Sequence, residues 1–203
     1  LPWRPSTGRV ARMYCDIRYP SGAPFVGEGR YLLRQAMQEM EQLGFGCRFG
    51  TECEFYLFEM DEDGQPTMRP QDRAGYLDLA PLDKGENVRR DICLALEDMW
   101  LFPEGSHHEK GPGQNEVWCR GATVMQAADD FITYKSVVRT IAAQSGLFAS
   151  FMPKPLGDKS GNGLHINMLL RQRDPAAGPE ELEQLRSRFM AGILAHIGEM
   201  TLF

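Results

Sequence analysis

The 203-residue sequence predicts an α+β fold: a mixed, largely antiparallel sheet backed by helices. Some segments alternate apolar and polar residues with period two, as half-buried strands do, while others repeat apolar residues every three or four positions, as helices do. Their order also matters. Strands come singly, in pairs and between helices, not in the strict strand-helix alternation of a parallel sheet.

Taken in order, residues 9–17 predict a strand, followed by turn material from Pro20 to Pro24. A helix over about 29–43 presents Leu33, Met37, Met40 and Leu43 at helical spacing, and Gly44 stops it. Two strands, 45–49 and 52–58, flank Gly50, and a helix over 87–100 places Ile92, Ala95, Leu96 and Met99 on one stripe. Residues 104–120 predict two extended arms around the Gly111-Pro112-Gly113 turn. The next helix has Thr123 and Gln126 as a capping box, an apolar stripe of Val124, Ala127, Phe131, Val138 and Ile141, and Gly146 as its stop. A strand over 147–152, a Gly-rich loop over 153–163 and a strand over 164–171 follow. The final helix opens at Pro179 and directs Leu182, Leu185, Phe189, Ile193 and Ile197 inward.

Composition narrows the function. With 42% hydrophobic residues the chain can bury a sizeable core, and residues 1–203 read as one domain segment without repeat or linker. A net charge of -6 and the lack of a Lys/Arg block argue against nucleic-acid or anionic-membrane partners. No apolar run approaches the roughly 20 residues that cross a bilayer. The start, Leu-Pro-Trp-Arg-Pro, has no signal-peptide organisation, so the expected location is cytoplasmic. The five cysteines have no paired spacing and read as reduced, with Cys53 and Cys93 as small buried hydrophobes. The absent initiator Met and the finish at Thr-Leu-Phe lead us to expect an excised or incomplete segment.

The chemistry lies in acidic residues and one histidine. Glu52 and Glu54, two apart on a strand, share a face with Tyr56 while Cys53, Phe55 and Leu57 turn to the core. Two carboxylates roughly 7 Å apart repel by about 2 kcal/mol at an effective dielectric near 20, which a divalent ion reverses. Glu109 and Glu116 lie on opposite arms of the 104–120 excursion. His165 and Asn167 occupy the polar side of a strand whose Leu164, Ile166, Met168 and Leu170 are expected to point inward. Three separate segments beside Gly-rich turns thus offer oxygen or imidazole donors, a set suited to magnesium or manganese more than zinc. The run 157–163 lacks Walker spacing and reads equally as a phosphate cradle or a hairpin connection. The His107-His108 pair carries no assigned duty, and Gly111-Pro112-Gly113 reads as a plain turn.

Several stretches together resemble glutamine synthetase of the bacterial type. They are Glu52-Cys53-Glu54, Gly75 to Asp83, Arg89 to Glu97, Ser106-His107-His108-Glu109 through Glu116, and Phe151 to Pro155 leading to His165. The resemblance covers nearly the whole chain and matches the first part of that family's catalytic domain. It implies that Glu54, Glu109 and Glu116 hold the metal nearer the amino-acid substrate, and that Glu52 and His165 hold the one bridging the ATP phosphates. It places the second metal's remaining carboxylate beyond Phe203. Glu104 and Asn167 match nucleotide-contacting positions, and Ser160 and Gly161 fall in the loop that holds substrate glutamate. The implied reaction phosphorylates the glutamate side chain with ATP, after which ammonia displaces phosphate to form glutamine. Two Mg2+ or Mn2+ ions, a homo-oligomeric ring with sites between subunits, and little activity for this piece alone are also implied.

This sequence departs from the family pattern at four places: Ser160 stands where Asn is common, Asn167-Met168-Leu169 lacks the usual hydroxyl, Gly121 replaces an aromatic residue, and Cys119 replaces a Phe. The Ser160 and Gly121 departures keep open a γ-glutamyl ligase that takes an organic amine. A noncatalytic scaffold member is the reading from another class.

Overall fold

The computed structural model describes residues 1–4, 7–172 and 178–201. Two compact units emerge, Leu1–Ile17 with Arg48–Met168, and Arg18–Cys47 with Leu169–Phe203. The elements are α1 (Gly29–Gln42), β1 (Phe45–Met60), β2 (Pro66–Pro70), α2 (Glu86–Asp98), β3 (Pro103–His108), β4 (Gln114–Thr123), α3 (Val124–Gln144), β5 (Leu147–Ser150), β6 (Leu164–Gln172), α4 (Pro179–Ala195) and α5 (Ile197–Met200).

The six strands form one sheet centred on β1, which pairs antiparallel with β2, β4 and β5 and also pairs with β6; β3 pairs antiparallel with β4. A strand has two hydrogen-bonding edges. Tyr56 pairs with both Gln114 and Ser150, so β4 and β5 lie on opposite edges of β1. The α+β expectation holds.

Alternation on β1 turns Cys53, Phe55 and Leu57 toward α2 and α3. There they join Ile92, Leu96, Val117, Val137, Val138 and Ala142 in a core whose members are almost wholly excluded from water. Burying each large aliphatic side chain contributes roughly 1.5–3 kcal/mol, which fixes the helices against this face and leaves the other face of β1 for polar chemistry.

Beside the core lies a polar network. Arg89 donates to both oxygens of Asp83, at 3.1 and 2.5 Å, and to Asn115 Oδ1 at 2.5 Å. Asp72 accepts from the backbone N–H groups of Ala74, Lys84 and Gly113, and its Oδ1 lies 3.0 Å from His108 Nε2. These partners offset the desolvation cost of buried charges and tie the 71–85 loop to β3 and β4.

Several expectations are corrected. Residues 9–17 form no strand: Val10, Met13 and Ile17 are exposed, and among the described residues the segment has no ladder partner. The two strands around Gly50 are one strand, β1, whose register with β4 shifts between Phe49 and Thr51. The bulge takes up the irregularity without ending the ladder. Thr123 sits at the N-cap but makes no side-chain cap bond, and the Gln126 side chain, instead of reaching back, donates to Asp130 at 2.6 Å, so neither half of the capping box forms. Leu164, Ile166 and Met168 are 38–47% exposed, so the expected inward face of β6 packs against nothing that covers it among the described residues. On α1, Leu33, Met37 and Met40 are half-buried while Leu43 is exposed. On α4, Leu182, Leu185, Phe189 and Ile193 are half-buried, and Ile197 is exposed on α5. Strand β2 has no counterpart in the sequence reading.

Candidate functional site

Register gathers the acidic residues. Glu54 pairs with Glu116 across β1 and β4, and Glu116 pairs in turn with His107 across β4 and β3. Residues directly opposite in an antiparallel ladder have Cβ atoms roughly 4.5–5.5 Å apart on the same face, so three side chains stand in a row. Glu52, one alternation along, pairs with Trp118.

Two groups of donors share Glu116. Glu52, Glu116 and His165 each offer a ligand atom within 4.8 Å of the others, and so do His107, Glu109 and Glu116. His107 Nε2 lies 2.8 Å from Glu109 Oε1 and 3.5 Å from Glu116 Oε2. Ionised carboxylates only accept, so the proton on that nitrogen points at Glu109. The His107 ring is held edge-on by Tyr76 and Trp118, with centroids 5.4 and 5.6 Å away. His165 Nδ1 approaches Glu52 Oε2 at 3.2 Å, and Asn167 Nδ2 donates to Glu52 Oε1 at 2.6 Å.

Acidity follows from these contacts. The Asn167 hydrogen bond, then that of His165, holds the Glu52 carboxyl below the usual carboxylate range. Glu116 is pushed upward, first by burial and then by the charges of Glu109, Glu54 and Glu52, against the pull of His107. Burial, with Glu54 and Asp158 nearby, raises the Tyr56 phenol to about 12, so it stays a donor.

The site suits a hard divalent cation. Oxygens bound to Mg2+ at roughly 2.1 Å stand at most about 4.2 Å apart, so donor sets already within 4.8 Å need only side-chain rotation to close on an ion. Burial raises Glu116 most, and the repulsion from Glu109, Glu54 and Glu52 that adds to it is the kind of strain a cation relieves. The third grouped set, Asp72, Asp83 and His108, is buried and already partnered by Arg89, backbone N–H groups and the Glu109 carbonyl, so it reads as structural.

Glycines keep the site open. A Cβ on Gly163 would stand 3.0 Å from Glu54 Oε1 and 3.2 Å from His165 Nε2, and one on Gly111 would stand 2.0 Å from the Tyr56 hydroxyl oxygen. In the 153–163 loop, the Ser160 carbonyl accepts from Tyr56 Oη at 2.7 Å and the Gly161 carbonyl from Gln114 Nε2 at 2.9 Å. Glu104 stands apart from the grouped donors, paired with Arg120 at 3.2 Å. The Arg120 guanidinium lies over the Phe102 ring, and both residues line a cavity of about 400 Å3 beside Gly121. Arg48, also lining it, donates to the Gly121 carbonyl.

The sequence reading left His107 unassigned and missed the duties of Gln114 and Tyr56. A signal for two of them was present: His107 is two residues before Glu109 and Gln114 two before Glu116 on extended chain, hence on the same faces. Cys53 and Cys119 are thiols, raised by burial to about 12.

Comparison with known proteins gives a consistent picture. The sequence pattern described as "Glutamine synthetase, catalytic domain" matches residues 26–203. Glutamine synthetase of Clostridium saccharobutylicum is 46% identical over 205 residues, covering 98% of this chain and 46% of that protein. A cryo-electron microscopy structure of Plasmodium falciparum glutamine synthetase superposes with a TM-score of 0.75 at 24% identity, over 90% of this chain and 43% of that one, which establishes the shared fold. GmaS, solved in complex with ADP, gives a TM-score of 0.68 at 29% identity over 77% of this chain and 36% of that one. The chain spans about half the length of the curated relatives it matches.

Proposed function

This chain belongs to the family of glutamine synthetase catalytic domains, and from that premise we propose that it serves ATP-dependent ligation of ammonia to the side-chain carboxylate of glutamate, through a γ-glutamyl phosphate. Glu54, Glu109 and Glu116 hold a divalent ion nearer the glutamate, and Glu52 with His165 holds one nearer the ATP phosphates. Both are Mg2+ or Mn2+. Such ions screen the charge that spreads over the transferred phosphoryl oxygens.

The chain's own residues supply the rest. Asn167 and His165 fix the Glu52 carboxylate in its ionised form. His107 orients Glu109 through its N–H. The 153–163 loop, with Ser160 and Gly161, receives the substrate glutamate, while Glu104 and Asn167 face the nucleotide. ADP in the GmaS complex supports a nucleotide partner here. The protein acts as a homo-oligomeric ring in the cytoplasm; among the described residues no helix is long and apolar enough to cross a membrane.

The observation that carries this reading is the cross-strand alignment of Glu54, Glu116 and His107 with Glu52 and His165 close by. Titration with Mn2+ tests it in this chain: saturable binding lost in Glu116→Gln supports it, and a folded chain that binds no Mn2+ favours a noncatalytic scaffold. Phosphate release from ATP and glutamate, with ammonia against a panel of organic amines, tests the chemistry at the relatives' full length. The Gly121 and Ser160 departures favour the amine panel as the second reading. No release with ammonia or with any amine would remove both ligase readings.

A further inference from the structure

Gln114 is fully buried at the start of β4, and every polar atom of its side chain is engaged. Its Nε2 donates to Glu54 Oε2 at 2.6 Å and to the Gly161 carbonyl at 2.9 Å, with Asn162 Oδ1 a third acceptor at 3.3 Å. Its Oε1 accepts the Gly111 N–H at 2.9 Å. These partners fix the amide's orientation, since carboxylate and carbonyl oxygens cannot donate. Two N–H bonds are available, and both are committed.

Glu54 is thereby held by one oxygen. Its other oxygen, Oε1, and His165 Nε2 would stand 3.0 and 3.2 Å from a Cβ on Gly163, so both border the same small space. Glu54 thus keeps one oriented oxygen on the side of His165, a member of the donor group. The loop is pinned at successive residues: Ser160 to Tyr56, Gly161 and Asn162 to Gln114, and the Gly163 carbonyl to the Glu54 N–H at 3.0 Å.

We propose that Gln114 is a positioning residue that couples Glu54 to the 153–163 loop, so that cation binding at the carboxylates and order in the glutamate-receiving loop reinforce one another. The inference rests on the metal reading of the site given above. An ion that fixes Glu54 also fixes the Gln114 amide, and through its second N–H the Gly161 carbonyl. Charge-assisted hydrogen bonds of this kind are short and directional, as the 2.6 Å contact is. By linkage, whatever orders Gly161 must tighten the ion by the same factor.

The experiment pairs Mn2+ titration, followed by electron paramagnetic resonance, with hydrogen exchange of the loop amides with and without Mn2+. In the wild type, Mn2+ is expected to slow exchange across 160–163. Gln114→Met keeps length and volume but removes both donors; it is expected to weaken Mn2+ binding about 10–100-fold and to abolish the Mn2+-linked protection. Retention of both effects in Gln114→Met, or Mn2+ binding by the wild type with unchanged loop exchange, overturns the coupling alone. If the variant does not fold, the wild-type comparison decides. Failure of the wild type to bind Mn2+ overturns the metal reading itself.

Discussion

Glu54 and Glu116 stand directly opposite each other across the β1 and β4 ladder, a pairing of like charges at the centre of a sheet. Such a pair destabilises an ordinary strand pair, and here Glu109 and Glu52 add to it. The sheet tolerates the arrangement because packing of Phe55, Leu57 and Val117 on the opposite face sets the register.

Glu116→Gln removes one charge from this crowd. Since the Glu116 carboxyl is raised, its ionised form opposes folding at neutral pH, and the variant is expected to be more stable than wild type in EDTA by roughly 0.2–1 kcal/mol. Added Mn2+ should reverse the ranking, because only the wild type gains binding energy. Thermal melts in EDTA and in Mn2+ check both signs.

His108 and Asp72 give a pH window. Burial pulls the His108 imidazole down, but Asp72 and the Glu109 carbonyl outweigh it, so the net shift is above 6.5; its contribution is full below 6.5 and is lost as pH rises through the raised value. Burial pushes Asp72 up, but hydrogen bonds from His108, Gly113 and Lys84 leave it below 3.8; its contribution is full above 3.8 and is lost as pH falls through the lowered value. The Tm difference between wild type and His108→Gln should therefore be largest between about pH 4 and 6.5 and shrink on both sides.

Arg89→Ala should cost about 3–5 kcal/mol in urea unfolding, since it leaves Asp83, 2% exposed, as an unpaired buried carboxylate. Arg89→Lys should recover only part of this, because an ammonium cannot reproduce the two bonds to Asp83 and the one to Asn115.

Gly111→Ala places a methyl 2.0 Å from the Tyr56 hydroxyl oxygen. Tyr56 must shift and release the Ser160 carbonyl, for an expected loss of about 1–3 kcal/mol. Faster proteolytic cleavage within 153–163 should accompany it, detectable by mass spectrometry.

Local sequence patterns determined the faces of this protein. Period-two alternation on β1 was enough to send Cys53, Phe55 and Leu57 inward and Glu52 and Glu54 outward, and helical spacing was enough to place Ile92, Leu96 and Val138 in the core. The motifs likewise pointed to Glu109, Glu116 and His165. Tertiary structure alone decided how these faces meet. The bulge between Phe49 and Thr51 sets which residue of β1 opposes Glu116, and that choice depends on contacts between segments more than 60 residues apart. It also decided that, among the described residues, 9–17 find no strand partner, that Leu164, Ile166 and Met168 of β6 stay exposed, and that Gln114 reaches both Glu54 and Gly161. Periodicity fixes direction relative to the local backbone; pairing across the ladder is set by the packing of the whole unit.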